Sequence, residues 1–259
     1  MGYTVFLWLL SSSFFIVVGI FFSFAGAGAD PLDLPFSVGE EISYNIRWEQ
    51  VKAGTCSVRV LPFTRVNNTP AFHFKMAAKS NKFVDMVYKI RDAMEGFVSD
   101  DFSGSLLYKR NSTGKRKKEI LVEFFREKKE VVYSNFGGKR DPVEIPDHTF
   151  DPVGSFFRMR TLDFAVGTSL TFPVTDGKKC FFQKVEVVKR EKITLSSGTF
   201  DTFVLVPSVT NFSGVFEKSR NPTVRIWVSA DEKKIPIRIK IKVVVGSIIF
   251  DLASYKPGV

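Results

Sequence analysis

The feature that most constrains the fold is a two-residue alternation of apolar and polar side chains. It is clearest in residues 235–243, where one face is apolar and the other is mostly basic: Ile235, Ile237, Ile239, Ile241 and Val243 against Pro236, Arg238, Lys240 and Lys242. Successive side chains of a β-strand point to opposite faces of the sheet. This segment therefore predicts a strand with one buried and one solvated face, as antiparallel sheets commonly have.

The same alternation recurs along most of the chain. The predicted strands are residues 41–48, 55–61, 71–79, 87–99, 105–111, 119–126, 130–135, 169–174, 181–189, 191–195, 202–209, 224–229, 235–243 and 247–254. Residues 50–54 are predicted to form a turn, and residues 62–70 and 211–222 polar loops. The predicted fold class is mainly β: a single curved antiparallel sheet, or an open, incomplete β-barrel, of about a dozen strands with one central helix packed on it.

One segment replaces the alternation with a helical pattern. Asp151 suits the N-cap position, and Pro152 suits the first helical position, where its missing N–H would be unpaired anyway. Val153, Phe156 and Phe157 follow at i, i+3 and i+4, which makes one apolar face. The sequence predicts a short helix docked on the sheet at this point.

The N-terminal segment has the character of an export signal. Residues 1–29 contain no charged side chain and are mostly apolar, and Ala27-Gly28-Ala29 fits the small-x-small pattern of a signal-peptidase site. The apolar run is also long enough for an uncleaved anchor. We expect residues 1–29 to be a signal peptide or an N-terminal anchor, and residues 30–259 to be a single β-rich exported domain.

The exported part of the chain is basic. All 37 Lys and Arg and all 27 Asp and Glu follow residue 29, so its formal net charge is +10. This charge predicts anionic partners outside the cytoplasm, namely a lipid or an anionic glycolipid or polysaccharide, with peripheral membrane association. The cations would come from Lys115-Arg116-Lys117-Lys118 and from a face with Arg225, Arg238, Lys240 and Lys242. A solvated surface that aids solubility explains the same charge. Nucleic acid is not expected, because no nucleic-acid-binding motif accompanies the charge.

The reactive side chains do not form a catalytic or metal-binding pattern. Cys56 and Cys180 could pair as a disulfide after export or remain free, buried thiols. Together with His73 and His148 they lack the short ligand spacings that zinc requires, so no metal and no cofactor is expected. Ser155 lacks the second glycine of a nucleophile elbow. We expect no enzymatic activity, and a hydrolase that uses Ser155 and His148 is the distant alternative.

Four segments, taken in order, resemble one bacterial family. They are Val38-Gly39-Glu40-Glu41-Ile42-Ser43-Tyr44 with Trp48 and Ala53-Gly54-Thr55; Asp151-Pro152 with Phe156-Phe157-Arg158-Met159-Arg160; Ser197-Gly198-Thr199-Phe200-Asp201-Thr202-Phe203; and Trp227-Val228-Ser229-Ala230-Asp231 with Ile235-Pro236-Ile237-Arg238. The set resembles the bacterial domain-of-unknown-function family 3108. The resemblance implies a mostly antiparallel β protein of the periplasm or cell envelope of a Gram-negative bacterium, and it brings no established activity or catalytic residues.

The hairpin of residues 227–238 is also similar, more loosely, to that of periplasmic lipoprotein carriers, which are half-barrels wrapped around a lid helix. Two non-enzymatic hypotheses follow. In the first, the half-barrel binds or carries an amphipathic, lipid-like ligand: Val153, Phe156 and Phe157 plug its concave face, and Arg158 and Arg160 lie near its mouth to meet a phosphate or carboxylate headgroup. In the second, the helix is permanently packed core, and the basic face docks an envelope protein partner. A closely packed interface between helix and sheet would favour the second hypothesis.

Overall fold

The computed structural model describes residues 33–115, 117–208, 223–242 and 246–259. The strands of the first part of the chain are β1 (Glu41–Trp48), β2 (Val51–Val66), β3 (Thr69–Ser80), β4 (Arg91–Ser99), β5 (Ser105–Thr113), β6 (Lys117–Phe125), β7 (Glu130–Asn135), β8 (Gly138–Lys139) and β9 (Val143–Glu144). Those that follow are β10 (Ser169–Thr175), β11 (Cys180–Leu195), β12 (Gly198–Pro207), β13 (Thr223–Ser229), β14 (Pro236–Lys242) and β15 (Ser247–Lys256). The α-helices are α1 (Lys82–Asp85) and α2 (Pro152–Arg160), and Arg126–Lys128 forms a 3₁₀ turn. The predictions for residues 1–29, the loop 211–222, Arg116 and Val243 lie outside the described residues.

All of these strands belong to one antiparallel sheet. Its order is β10-β11-β12-β13-β14-β15-β1-β2-β3-β4-β5-β6-β7-β8, and β9 also pairs with β7. The last strand of the chain therefore lies beside the first, with Ile42 opposite Tyr255 and Trp48 opposite Ile248. Within the described part of the chain, the end strands β8 and β10 are not paired with each other. The predicted fold class is confirmed. The sheet has fifteen strands, partly because β8 and β9 are too short for an alternation to reveal them.

Strands β2 and β11 run through segments where the sequence predicts a turn, a loop or a break, because each contains a bulge. Strand β2 includes most of the predicted turn at 50–54 and part of the predicted loop at 62–70. Its register against β3 shifts between Leu61 and Thr64, so Pro62 lies where the regular ladder is interrupted. In β11 the register against β12 shifts between Val187 and Lys189, and the strand continues where the sequence predicts a break. A bulge interrupts the alternation without ending the strand.

One cluster of core side chains joins strands from both arms of the sheet. Val60 of β2, Val122 of β6 and Ile237 of β14 belong to the same cluster as Val153 and Phe157 of α2. Because β6 and β14 lie on opposite sides of β1 in the sheet order, the sheet must bend so that both arms meet the helix. Helix α2 lies against β3, β4 and β10.

The chain reaches α2 through a short bridge to the other arm of the sheet. Phe150 pairs in parallel with Val174 of β10 just before the helix begins. The two α-helices in the described ranges have four and nine residues, and neither is long and apolar enough to cross a bilayer.

Candidate functional site

The predicted site is α2, whose first turn is held by a buried carboxylate. Asp151 accepts hydrogen bonds from the Val153 and Gly154 backbone N–H groups, at 2.7 and 3.0 Å. The Ser105 hydroxyl of β5 donates to the other carboxylate oxygen at 2.6 Å and accepts from the Asp151 N–H at 2.8 Å. Asp151 is fully buried, and this burial raises its pKa to about 6 against the opposing effect of these hydrogen bonds. The predicted N-cap is confirmed, and it also ties α2 to the sheet.

Two glycines allow the start of α2 to lie directly on the sheet. A Cβ atom at Gly96 of β4 would be 2.8 Å from an Asp151 carboxylate oxygen and 2.9 Å from the Val153 Cβ. A Cβ atom at Gly154 would be 2.9 Å from Val98 Cγ2. Because protein interiors are close-packed, a side chain at either glycine would push the helix away from β4.

The middle of α2 packs against a cluster of aromatic rings. Phe157 is fully buried and stacks on Phe74 of β3, with ring centroids 3.8 Å apart and planes at 15°. Phe36 contacts both rings edge-on, at 4.9 Å from Phe157 and 5.6 Å from Phe74. Val153, one turn earlier in the helix, is also fully buried. The interface between α2 and the sheet is closely packed around these side chains.

The last turn of α2 carries a buried ion pair. Arg160 is fully buried, and its guanidinium contacts both oxygens of the Glu40 carboxylate, at 2.5 and 3.0 Å. It also donates to the carbonyl oxygens of Pro35, at 2.9 Å, and Lys233, at 2.9 and 3.2 Å. The Tyr255 hydroxyl donates to the same carboxylate at 3.3 Å. Burial, together with the Glu40 charge, raises the pKa of Tyr255 to about 12.

The predicted position of Arg160, near the mouth of a concave face, is wrong. Its guanidinium lies in the interior, where the Glu40 carboxylate neutralises it. Arg160 follows Val153 by seven residues and Phe157 by three, so the helical repeat places all three on one side. That spacing was the available signal in the sequence. It is easily missed, because arginine is almost never fully buried unless it is paired.

Phe156 and Arg158 are each partly exposed, and their spacing of two residues places them on different sides of α2. The Phe156 ring packs edge-on against Phe157, with centroids 5.4 Å apart. Arg158 Nη1 donates to Thr161 Oγ1 at 3.0 Å, and its guanidinium lies 5.9 Å from the Phe150 ring centroid. Partial burial lowers the pKa of Arg158. Of the five predicted site residues, Val153, Phe157 and Arg160 are buried, and these two retain partial exposure.

The two side chains of the hydrolase alternative contact backbone groups. Ser155 Oγ donates to the Pro152 carbonyl oxygen at 3.0 Å, within the first turn of α2. His148 Nδ1 lies 2.9 Å from the Ser103 carbonyl oxygen. Neither of these two contacts joins Ser155 to His148.

The cysteines are free thiols with little thiolate character. Cys56 and Cys180 are not bonded to each other. Burial raises the pKa of Cys56 to about 11 and also raises the pKa of Cys180. Both thiols are therefore mostly protonated at neutral pH. Among the described residues, no group of three or more His, Cys, Asp or Glu side chains is placed to hold a metal ion.

The predicted basic face on β13 and β14 is partly neutralised from β15. Asp251 contacts Arg238 Nε at 2.5 Å and Arg47 Nη2 at 2.6 Å. Burial alone would raise the pKa of Asp251. The hydrogen bonds from the two guanidinium groups outweigh this effect and hold the pKa below its usual value. Arg225 and Lys242 remain exposed. This face therefore presents fewer uncompensated cations than its sequence predicts.

Four clefts lie in the described part of the chain, and one of them reaches Ser105 and Thr149, close to the start of α2. The largest of the four encloses about 770 Å³ on the solvent side of β1 to β5, over the small side chains of Ser57, Ala77 and Ala93. None of the four is lined by a residue of α2. The largest of these clefts therefore belongs to the outer surface of the sheet.

Comparison with known proteins gives a family and a fold. The family described as "Protein of unknown function (DUF3108)" matches residues 43–253. No curated protein matches the chain. A crystal structure of a beta-barrel-like protein of the domain of unknown function DUF1849, from Brucella abortus, is 9% identical and has a TM-score of 0.54, covering 86% of this chain and 99% of that one. This likeness shows the fold alone.

Two further structures are more distant. A protein considered to be exported, with a YmcC-like fold, from Bacteroides fragilis has a TM-score of 0.37 at 9% identity, covering 86% of this chain and 98% of that one. A protein considered to be a lipoprotein, from Parabacteroides distasonis, has a TM-score of 0.34 at 10% identity, covering 86% and 97%. At these TM-scores neither structure supports an inference about this chain.

Proposed function

Because this chain belongs to the DUF3108 family of proteins of unknown function, we propose its role from its geometry: it is a non-enzymatic protein of the bacterial cell envelope that acts as a rigid interaction module. In this proposal α2 is a permanent part of the core, and the outer surface of the sheet binds another envelope component. The observation that carries it is the attachment of α2 at both ends by buried polar groups, Asp151 with Ser105 and Arg160 with Glu40.

The energy needed to lift α2 supports a fixed helix. Exposing the side chains of Val153 and Phe157 would cost about 1.5–3 kcal/mol each. Withdrawing Arg160 with the helix would leave the Glu40 carboxylate in the interior without its counter-charge, which would cost about 3–5 kcal/mol. The sum, roughly 6–11 kcal/mol, is comparable with the whole unfolding free energy of a typical domain, about 5–15 kcal/mol. A helix held this strongly suits a scaffold better than a lid that must open for every ligand.

A location in the envelope is supported by the sequence. The uncharged, apolar residues 1–29 have the character of an export signal or an anchor. A net charge of +10 suits a surface that meets anionic components outside the cytoplasm. The absence of enzymatic activity is part of the proposal, and it is supported by the contacts of Ser155 and His148 with backbone oxygens.

A carrier of an amphipathic ligand is the second candidate. Phe156 and Arg158 favour it, because a ligand could reach these partly exposed side chains without displacing α2. A carrier would also need a cavity beneath the helix, at the place where Phe157 and Phe74 now stack at 3.8 Å. The two candidates therefore differ in what Phe157 does.

Replacing the two neighbouring phenylalanines of α2 separates the candidates. The full chain would be expressed in a Gram-negative host, and its exported form would be recovered without detergent and measured by native mass spectrometry and by urea unfolding. We expect a ligand-free mass for the wild type. We expect Phe157→Ala to lower the unfolding free energy by about 3–5 kcal/mol, and the matched Phe156→Ala to cost much less. A lipid bound at near-stoichiometric occupancy, lost in Phe157→Ala with stability retained, would overturn the proposal in favour of the carrier.

A further inference from the structure

One end of the sheet presents large apolar side chains to solvent. Val87 and Met86, in the segment after α1, are 77% and 76% exposed, and Phe83 of α1 is 63% exposed. Val51, at the start of β2, and Tyr88 are also exposed. We call these five residues the apolar tip. Side chains of this kind normally lie in the core, so a group of them on the surface indicates a binding site.

The members of the apolar tip come from connections that contact one another. Asn81, the N-cap of α1, donates its N–H to the Ala53 carbonyl oxygen at 2.8 Å and its side-chain amide to the Lys52 carbonyl oxygen at 2.6 Å. The Lys115 N–H, after β5, donates to the Lys89 carbonyl oxygen at 2.8 Å. The start of β2, the α1 segment and the connection between β5 and β6 are therefore joined at one end of the sheet.

The α1 segment holds its apolar side chains outward by a defined structure. Phe83, Met86 and Val87 stand at i, i+3 and i+4, so they share one face of the turn. The opposite side is fastened to the sheet: Asp85 contacts Arg91 of β4 at 2.5 Å. The segment therefore has a defined structure that points these three side chains to solvent. Polar side chains at the same three positions would be compatible with its fold.

The apolar tip is surrounded by lysines. Lys52, Lys82, Lys89 and Lys115 are exposed beside it, and Lys115 Nζ lies 5.3 Å from the Tyr88 ring centroid. These four ammonium groups form the charged border of the tip.

Acidic side chains compensate little of this charge. The hydrogen bond from Arg91, followed by that from Ser80, holds the pKa of Asp85 below its usual value, so this carboxylate is ionised but already paired. Glu49, three residues before Lys52, is an exposed carboxylate and can offset one of the four lysine charges. The charge that remains around the apolar tip is positive.

We propose that the apolar tip docks on an anionic lipid bilayer, with Phe83, Met86 and Val87 entering the headgroup region and the lysines meeting lipid phosphates. This inference rests on the proposed interaction role and names its partner. Exposed apolar side chains bordered by lysines match the interface of an anionic bilayer, which attracts both. A protein partner fits less well, because lysine is depleted in protein–protein interfaces.

Hydrogen exchange of the full-length protein on vesicles tests the proposal. The probes are vesicles of phosphatidylcholine alone and vesicles that also contain phosphatidylglycerol. We expect slower exchange in residues 82–90 on the anionic vesicles than on the neutral ones, and loss of this difference at high salt. Because the comparison is made between bound forms, any insertion of residues 1–29 does not affect it. Equal exchange of residues 82–90 on both vesicle types would overturn the proposal and leave a protein as the occupant.

Matched variants assign the effect to the tip. Phe83→Ser combined with Met86→Ser is expected to lose the protection, and Phe182→Ser, which changes a side chain that is 60% exposed elsewhere on the sheet, is expected to keep it. Lys82→Ala combined with Lys89→Ala is expected to lose the difference between vesicle types, and Lys192→Ala to keep it. Protection that survives both tip variants would also overturn the proposal. A negative result in the vesicle experiment would not overturn the rigid-module proposal. That proposal is tested separately, by whether native mass spectrometry finds a bound ligand.

Discussion

Glu40 and Arg160 show how one buried ion pair joins three distant parts of the chain. Arg160 ends α2, Glu40 precedes β1, and the guanidinium also binds the carbonyl oxygen of Lys233 in the turn between β13 and β14. The planar guanidinium presents its donors in a fixed fork that matches a carboxylate. The pair therefore sets where the end of α2 lies, and its loss should affect the whole fold.

Two adjacent glutamates allow this to be tested with an internal control. Glu40→Gln is expected to lower the unfolding free energy by about 3 kcal/mol, because it leaves the Arg160 charge buried without its counter-charge. Glu41→Gln removes only an exposed contact with Arg59 and is expected to cost less than about 1 kcal/mol. Urea unfolding measures both variants. If both variants lowered the unfolding free energy equally, the buried ion pair would contribute no more to stability than the exposed one.

Asp151 adds a pH-dependent part to the stability. Burial raises its pKa from 3.8 to about 6, so the folded protein retains a proton that the unfolded chain releases between these two pH values. Asp151 therefore stabilises the fold most below about pH 4, and this contribution falls by roughly 3 kcal/mol as the pH rises to about 6. Above that pH its contribution is constant.

Asp151→Asn is expected to remove this pH dependence while keeping the cap, because an asparagine side chain accepts the same backbone hydrogen bonds. Urea unfolding of both proteins between about pH 4 and pH 7 gives the difference in unfolding free energy, wild type minus variant. We expect this difference to fall as the pH rises to about 6 and then to level off. A difference that rises with pH would mean that the hydrogen bonds to Asp151 outweigh its burial.

At the residue scale, the sequence predicts local contacts better than distant ones. The Asp151 cap was predictable because its acceptor and both backbone donors lie within three residues of one another. The partner of Arg160 is 120 residues away, and no spacing rule connects the two. The ligand-binding role of Val153, Phe156, Phe157, Arg158 and Arg160 stays a prediction, although the buried position of Arg160 differs from the expected one.

At the scale of elements, α2 depends on the absence of a side chain in β4. Gly96→Ala is expected to lower the unfolding free energy by about 3 kcal/mol, because the new methyl group would meet the Asp151 carboxylate and Val153. Gly138→Ala is the control, since its nearest neighbour is a carbonyl oxygen at 3.3 Å near an exposed turn, and it is expected to cost less than about 1 kcal/mol. Thermal unfolding compares the two variants. If Gly96→Ala lowers the unfolding free energy no more than Gly138→Ala does, the contact between α2 and β4 is loose enough to accept a methyl group.

The strands could be predicted where the alternation is unbroken. Strands β1 and β7 begin and end where their patterns do, at Glu41–Trp48 and Glu130–Asn135. The ends of β2 and the continuity of β11 through residue 190 could not be predicted, because a bulge reverses which residues face the core and so imitates a loop or a break. Helix α2 was predictable from its cap and its apolar spacing.

At the scale of the whole molecule, the order of strands carries information that the local pattern lacks. The sequence predicts consecutive hairpins, and these are present from β1 to β7 and from β10 to β15. It does not predict that β15 pairs with β1, because that contact joins two strands about 200 residues apart, which no local pattern connects. This pairing places α2 between two arms of one sheet, which is why the helix is buried on several sides.

The most direct test of a fixed helix is native-state hydrogen exchange of α2, with β4 as the reference for the core. If α2 is a permanent part of the core, its amides and those of β4 should exchange only by global unfolding, with the same opening free energy. The exposed segment after α1 should exchange faster and confirm that local opening is detected. An opening free energy for α2 that is several kcal/mol below that of β4 would contradict this account, because it would show a helix that opens while the sheet remains folded.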